Sequence, residues 1–512
     1  MFTFVWQSAC TMGKSSDEPG SRYLEVERKF DVVESTVSPS FDGLSSVAQV
    51  ERSPSQQLDA VYFDTPDRDL AAHHVTLRRR TGGSDAGWHL KLPAGPDART
   101  EVHEPLDAGA AGDVPEALRD VVLAIVRDRP LAPVARISTN RTLDVLYSAD
   151  GVALAEFCDD QVTAQAEQDG PEQQWREWEL ELSEGGDRDL LDRLANRLLD
   201  AGAEPAGHGS KLARVLEAGS EPESSETALP EQFADPMHRA VAEQVESLIV
   251  WDRAVRDDVY DSVHQMRVTT RKIRSLLQSS EGVFGISDDA WILDELRQLA
   301  GILGVARDAE VLAERYERAL DDLPSQLIRG PVRERLVEGA KRHYAAGLRR
   351  SLIAMRSQRY FRLLDALEGL VAAEPTATEP GEEGRGPATI DSAYKRVRKA
   401  ARAAAEANDA DKDEALHRIR KGAKRLRYTA AATGADAVSD RAKTIQSLLG
   451  DHQDSVVSRT HLRQQSEAAH AAGEDTFIYG LLYQMEDDLA GRSREQLDDA
   501  LKKLAKSVRR TR

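Results

Sequence analysis

Cysteine is almost absent from this chain: Cys10 and Cys158 are the only two in 512 residues. That excludes a disulfide framework and points to a reducing cytoplasm. Long apolar runs are missing too. No stretch of about 18 apolar residues occurs, so no transmembrane helix and no membrane partner are expected. The opening MFTFVWQSAC is apolar, but no basic residue precedes it and it is short for a signal peptide. The apolar stretch before Cys10 is also too brief for a lipidation site. Met1–Gly20 therefore reads as a disordered leader, with Met12 as a second candidate start. Net positive charge is lacking as well: 68 Lys and Arg face 88 Asp and Glu, a balance of −20. Taken whole, that balance speaks against an anionic partner.

The distribution of charge along the chain points the other way. Residues 1–230 hold 22 basic and 42 acidic side chains, so 22 − 42 = −20, whereas residues 231–512 hold 46 of each. The excess belongs to the first part, and the second is balanced but locally very basic. The two meet near EAGSEPESSETALPEQ (Glu217–Gln232), a Ser-, Glu- and Pro-rich stretch without apolar period that reads as a linker. At this length two or more domains are expected.

Before the linker, short alternating segments dominate: YLEVERKF (Tyr23–Phe30), QLDAVYFDT (Gln57–Thr65), VTLRRRT (Val75–Thr81), WHLKLP (Trp88–Pro93), RTEVHEPL (Arg99–Leu106), VALAEFCDD (Val152–Asp160) and WREWELELS (Trp175–Ser183). Their length and their Gly, Pro or Asp borders suit strands. Helical patterns interrupt only at Val114–Arg127 and Arg188–Ala201. Many strands with few helices suggest an antiparallel sheet curled into a barrel. In YLEVERKF, Glu25, Glu27 and Lys29 stand two apart and so share one face of the strand. Arg78 with Arg80, and Glu177, Glu179 and Glu181, repeat the pattern; Lys91, Arg99, Glu101, Arg141, Glu156 and Asp159 add charge on further strands. On one strand this is a solvated face. On many strands turned inward it is a lumen of mixed charge, which suits a polyphosphate held with a divalent metal.

These segments resemble the CYTH family, the triphosphate tunnel metalloenzymes. EVERK matches its Glu-x-Glu-x-Lys signature, and YFDTPDRDL, LRRR, WHLKLP, RTEVHEPL, EWELEL and GSKLARVL follow in the family's order across about residues 22–218. The resemblance implies an eight-stranded tunnel binding triphosphate and one or two ions of Mg²⁺ or Mn²⁺. It assigns Glu25, Glu27, Asp159, Glu177, Glu179 and Glu181 to the metal, and Lys29, Arg78, Arg80, Lys91, Arg141 and Lys211 to the phosphates; Glu25, Glu27 and Lys29 form the catalytic signature. It implies a metal-dependent triphosphatase, with class IV adenylate cyclase, thiamine triphosphatase and a non-catalytic polyphosphate binder as alternatives.

After the linker the chain is helical in period and composition. A Pro- and Gly-rich break at Glu374–Ala388 divides it into halves that repeat each other. HQMRVTTRKIR gives His264, Arg267, Arg271 and Arg274; HRIRKGAKRLR gives His417, Arg420, Lys424 and Arg427 at the same spacing, with Lys421 and Arg425 beside them. Each half then carries Leu-Gly-x-x-x-Asp, Leu303-Gly304 to Asp308 and Leu449-Gly450 to Asp454. Spacing i, i+3, i+7, i+10 lines one helix face for about 15 Å. A like-charged stripe made twice points to a polyanion surface. DNA or RNA is disfavoured because aromatics do not interleave the stripes. Two histidines without paired acids or cysteines make a poor metal site. This repeat resembles the CHAD domain, which implies a helical bundle of two duplicated halves that binds inorganic polyphosphate.

The expected protein is thus α+β and multidomain: a leader at residues 1–21, an eight-stranded antiparallel β tunnel at 22–218, a linker at 219–231 and an all-α bundle at 232–508, with halves at about 232–373 and 389–508. Its expected setting is the cytoplasm, at polyphosphate granules. Nothing in the sequence names a protein partner.

Overall fold

The computed structural model describes residues 21–109, 112–167, 170–183, 185–217, 236–279, 284, 290–373 and 389–511. The leader Met1–Gly20, the break Glu374–Ala388 and nearly all of the Glu217–Gln232 linker lie outside these residues. Cα packing divides the chain into two compact units, Met1–Ile273 with Leu352–Ala373, and Arg274–Ser351 with Glu374–Arg512.

Among its described residues the first unit holds ten strands: β1 (Ser21–Val32), β2 (Gln49–Arg52), β3 (Gln56–Asp64), β4 (Thr76–Thr81), β5 (Gly87–Gly95), β6 (Ala98–Glu104), β7 (Ala132–Tyr147), β8 (Ala153–Ala166), β9 (Gln173–Leu182) and β10 (Glu204–Pro205). They pair in the order β1-β6-β5-β4-β3-β7-β8-β9, and β9 pairs back onto β1. The result is a closed, eight-stranded antiparallel barrel, with β2 added beside β7 and β10 beside β1. Closure removes the sheet edges that an open β-structure would have to protect. β7, the longest strand at 16 residues, lies in APVARISTNRTLDVLY, a segment that simple alternation leaves unassigned. The helix expected at Val114–Arg127 is two short ones, Glu116–Val121 and Leu123–Val126, broken at Val122.

The barrel inverts the usual rule of an apolar inside. Phe30, Phe157, Trp178 and Leu180 point outward and pack under the helix Arg188–Asp200, whose Leu190, Leu191, Leu194 and Leu198 recur on one face. Asp187 caps that helix by accepting a hydrogen bond from the Leu190 amide at 2.7 Å. On the same strands Glu25, Glu27 and Lys29 of β1, Asp160 of β8 and Glu177, Glu179 and Glu181 of β9 face the lumen. One end of the barrel is filled by the helix Lys211–Glu217. Its Leu212, Val215 and Leu216 pack with Ala60, Tyr62, Ala135, Ile137, Val162 and Ala164.

The first unit also contains the helix Pro236–Arg256, most of Ser262–Ser279, and Gln358–Ala372. Asp252 ties Arg256 to the Tyr360 hydroxyl, at 2.6 and 2.8 Å, and Arg256 reaches Asp120 at 3.0 Å. The second unit is helical: Trp291–Asp321, Gly339–Met355, Ile390–Glu406, Asp409–Ala432, Asp436–Ala471 and Phe477–Thr511 are its long helices, the second of which ends in the first unit. Two apolar clusters hold it, one around Val397, Ile419, Leu426 and Ile445, the other around Tyr316, Leu336, Leu462 and Tyr479. Among the described residues no helix is long and apolar enough to cross a membrane.

Candidate functional site

Strand register decides which charges share the lumen. On β1, Tyr23, Glu25, Glu27 and Lys29 face inward; Tyr23 is opposite Glu101 on β6, Glu27 opposite Glu181, and Lys29 opposite Glu179 on β9. Glu101 is opposite Lys91 on β5, and His89 of β5 is opposite Arg78 on β4. On the other wall Arg141 of β7 is opposite Asp160 of β8, which is opposite Glu177 of β9. Glu25 and Glu27 are 5% and 9% exposed, so the β1 charge ladder looks at the barrel interior rather than bulk water.

Oppositely charged groups interleave across this interior. Lys29 Nζ lies 2.5 Å from Glu27 and 2.9 Å from Glu179. Lys91 reaches Glu25 at 2.5 Å and Glu101 at 3.1 Å. Lys211, at the start of the helix that fills one end, meets Asp160, Glu177 and Glu179 at 2.9, 2.7 and 2.9 Å. Arg141 holds Asp160 through two nitrogens, at 2.8 and 2.6 Å, and Glu179 at 2.6 Å. Arg78 donates to the Tyr62 hydroxyl at 3.4 Å, and its Nε has no hydrogen-bond partner.

Burial disfavours every charge here, and only partners offset it. Against burial, Lys29 and Lys91 hold Glu27 at about 2. Against burial again, Lys211, Lys29 and Arg141 hold Glu179 well below the usual carboxylate range, and Arg141 and Lys211 lower Asp160. Glu181 behaves in the opposite way. Burial and the neighbouring Glu25, then Glu156 and Glu27, push its carboxyl well above the usual range, with Lys91 only partly opposing them. Burial also raises Glu156. The lumen therefore has one acidic group that its cations neutralise, around Glu179, and one that they do not, around Glu181.

This contrast tests the fit of a metal. Asp160, Glu177 and Glu179 place ligand oxygens within 4.8 Å of one another, a spacing that a divalent ion can bridge. Lys211 and Arg141 already bind those oxygens, however. Glu25 and Glu27 are likewise held by Lys91 and Lys29, so only Glu181 and Glu156 are left short of positive charge, the condition that a divalent cation relieves. The residues fit such an ion.

The helical stripes are built differently. On Ser262–Ser279, His264, Arg267 and Arg274 are half-buried and Arg271 is exposed; on Asp409–Ala432, His417, Arg420, Lys424 and Arg427 are half-buried, while Lys421 and Arg425 are exposed. Each stripe borders an apolar one, Met266, Ile273 and Leu277 in the first and Leu416, Ile419, Ala423 and Leu426 in the second. Burial, then Lys421 and Arg420, lowers the pKa of His417, whose Nδ1 is buried without a hydrogen-bond partner. Gly450, from the repeated Leu-Gly unit, lies beside the Arg420 guanidinium: a Cβ there would stand 3.6 Å from it, in ordinary contact. Asp454 of the same unit lies in the field of Arg420 and Arg315.

Family models match this architecture in two places, the CYTH domain at residues 24–214 and the CHAD domain at residues 239–463. The chain is a CYTH–CHAD protein. Two uncharacterized proteins of Mycobacterium tuberculosis, MT2285 of strain CDC 1551 / Oshkosh and Rv2226 of strain H37Rv, are each 67% identical to it over 510 residues, covering 96% of this chain and 98% of theirs. Among solved structures, the CHAD domain from Ricinus communis is 22% identical, covering 52% of this chain and 90% of its own, with a TM-score of 0.37. HpAC1 from Hippeastrum, described as a putative adenylyl cyclase with a dominant triphosphatase activity, is 18% identical, covering 39% and 97%, with a TM-score of 0.26. At those scores neither likeness bears on the function of this chain.

Of the expected tunnel residues, Glu25, Glu27, Lys29, Arg78, Arg80, Lys91, Arg141, Glu177, Glu179, Glu181 and Lys211 all belong to the inward-facing set of this CYTH barrel. Asp159 does not, and its expected place among metal ligands is corrected. It is opposite Trp178 on the outer face, where Arg176 binds it at 2.6 Å and Ser38 at 2.7 Å. Its neighbour Asp160, fully buried, takes the inner position. The signal was in the sequence: Glu156, Cys158 and Asp160 are two apart and must share one face. Also absent from the expected set are His89, which binds Glu101, and Tyr62 beside Arg78. A lone His or Tyr in a strand gives no such sign.

Proposed function

We propose that the tunnel hydrolyses a phosphoanhydride of inorganic triphosphate or short polyphosphate with Mg²⁺ or Mn²⁺, and that the CHAD helices bind polyphosphate. One observation carries the reading: a closed barrel whose interior is lined by lysines and arginines interleaved with mostly buried carboxylates. Buried ion pairs seldom stabilise a fold better than apolar packing of the same volume. A barrel that keeps so many is furnished for a ligand of the same chemistry.

In this reading Lys29, Arg141 and Lys211 on one wall and Arg80 and Lys91 on the other exchange carboxylate partners for phosphate oxygens, and Arg78 adds its unsatisfied guanidinium beside them. Arginine suits the bidentate contacts and lysine the point charges. Once Lys29 and Lys91 have turned to phosphate, Glu25, Glu27, Glu156 and Glu181 would hold the metal, which would supply charge neutralisation and Lewis acidity. Hydrolysis forms one bond from a water oxygen to phosphorus and breaks the bridging P–O bond. The surrounding cations then stabilise the charge gathering on the leaving phosphate. The tunnel domain of this reading spans residues 22–218 and the helical domain 232–508. The protein acts in the cytoplasm, at polyphosphate stores.

Phosphate release from tripolyphosphate, ATP, thiamine triphosphate and long polyphosphate, each with Mg²⁺ and with Mn²⁺, tests it. Metal-dependent turnover of tripolyphosphate that Glu27→Ala and Glu179→Ala abolish supports the reading. No release from any of them, or cyclic AMP formed from ATP, refutes it.

A further inference from the structure

At the end of the barrel opposite the helix Lys211–Glu217, the turn between β4 and β5 folds over the start of β3. Gly82 makes this possible: it has φ +82°, and a Cβ there would stand 2.1 Å from the Gln57 carbonyl oxygen. At Gly83, φ +75°, a Cβ would stand 2.9 Å from a Leu58 methyl. The fold-over carries Asp85 onto the last inward-facing residue of β4, Arg80. The Asp85 carboxylate pairs with the Arg80 guanidinium, while its carbonyl oxygen lies 3.0 Å from His89 Nε2 and 3.5 Å from an Arg80 nitrogen.

This pair differs from the others in the lumen. Lys29, Lys91, Arg141 and Lys211 hold carboxylates of barrel strands whose side chains are 12% exposed or less. The Asp85 side chain is 58% exposed and rides on a turn, while Arg80 is 7% exposed with its Nε unsatisfied. Burial, with Arg78 and Arg141 close by, lowers the Arg80 guanidinium to about 9. The anion on Arg80 is more solvent-exposed than any carboxylate those four cations hold.

We propose that Asp85 is a built-in competitor for the phosphate position on Arg80, a specificity-determining residue displaced only by an anion of higher charge. The inference rests on the tunnel being a phosphate site. A terminal phosphate carries more charge and more acceptor oxygens than one carboxylate. Tripolyphosphate therefore wins the exchange, while acetate-like anions do not. Because the displacement is made once, on binding, it weakens ground state and transition state alike, and so enters KM rather than kcat.

The test compares the full chain with its Asp85→Asn and Asp85→Ala variants, so the helical domain contributes equally throughout. In metal-free calorimetry with tripolyphosphate, both variants should bind about tenfold more tightly, the worth of one charge-assisted contact. In turnover, KM should fall by a similar factor with kcat held. In an Arg80→Gln background, Asp85→Asn should change neither quantity. Unchanged affinity in both variants, alongside a parent that binds tripolyphosphate, overturns the inference and leaves the phosphate reading standing. So does a gain that persists without Arg80. A parent that binds no tripolyphosphate overturns both.

Discussion

The barrel lumen and the helical stripes both present arrays of cations, but they solve opposite electrostatic problems. In the barrel the cations are enclosed by the strands, and each of Lys29, Lys91, Arg141 and Lys211 meets two or more carboxylates within hydrogen-bond reach. On the helix Asp409–Ala432 the cations ride a half-buried face beside solvent, so water shares the work of neutralising them. Low dielectric forces balance; a wet surface tolerates excess. A ligand entering the tunnel must therefore exchange partners, whereas one landing on the stripe meets cations already shared with water.

The largest effect that would break this comparison is Glu179→Gln. It removes the carboxylate shared by Lys29, Arg141 and Lys211, leaving buried like charges. Stability should fall by about 3 kcal/mol in denaturant unfolding, and tripolyphosphate turnover by about 10²–10³-fold. A loss under about 1 kcal/mol would mean that the lumen is far wetter than its burial indicates. Next is the combined change of His417, Arg420, Lys424 and Arg427 to Gln. Retention on immobilised long polyphosphate should drop by about tenfold or more, with a shallower salt dependence, while circular dichroism shows the helices intact.

A smaller, signed effect concerns metal and pH. Glu181 has a raised folded pKa, so its contribution to stability is full below the unfolded value near 4.5 and is lost as pH rises through the folded value. Mg²⁺ or Mn²⁺ should offset that loss, so the rise in Tm on adding metal should grow with pH, to a few degrees. Glu27, held at about 2, has the reverse sign: its contribution is present above about 4.5 and is lost as pH falls toward 2. Without metal, the barrel should thus be weakened at both ends of the range. A Tm increment that is flat with pH would remove Glu181 from the metal group. The smallest expected effect is that of Asp159→Asn, which should leave turnover within about twofold while Asp160→Asn abolishes it, because the two occupy opposite faces of β8.

Much of the tunnel was legible in the sequence because a strand's period of two writes its facing into the chain. Glu25, Glu27 and Lys29 had to share a face, as did Glu177, Glu179 and Glu181. The error at Asp159 has the same origin: two adjacent aspartates end the segment EFCDD, and only counting back to Glu156 tells them apart. β7 was harder, since Pro133 opens it and charged residues fall on both its faces, so no clean alternation survives. The helical stripes were legible through their duplication. Their burial was not, because periodicity shows that residues share a face but not how deeply that face sits.

By itself the sequence determined which side chains stand together on each strand and helix, since backbone geometry fixes those periods locally. It also determined that charge is divided unevenly along the chain. Only the tertiary structure decided that the charged strand faces turn inward, that Asp160 rather than Asp159 joins them, and that Glu181 is left short of positive charge. Those outcomes depend on which distant strands become neighbours when β9 closes onto β1, and the energy of a buried charge is set by groups that the chain brings together from far apart.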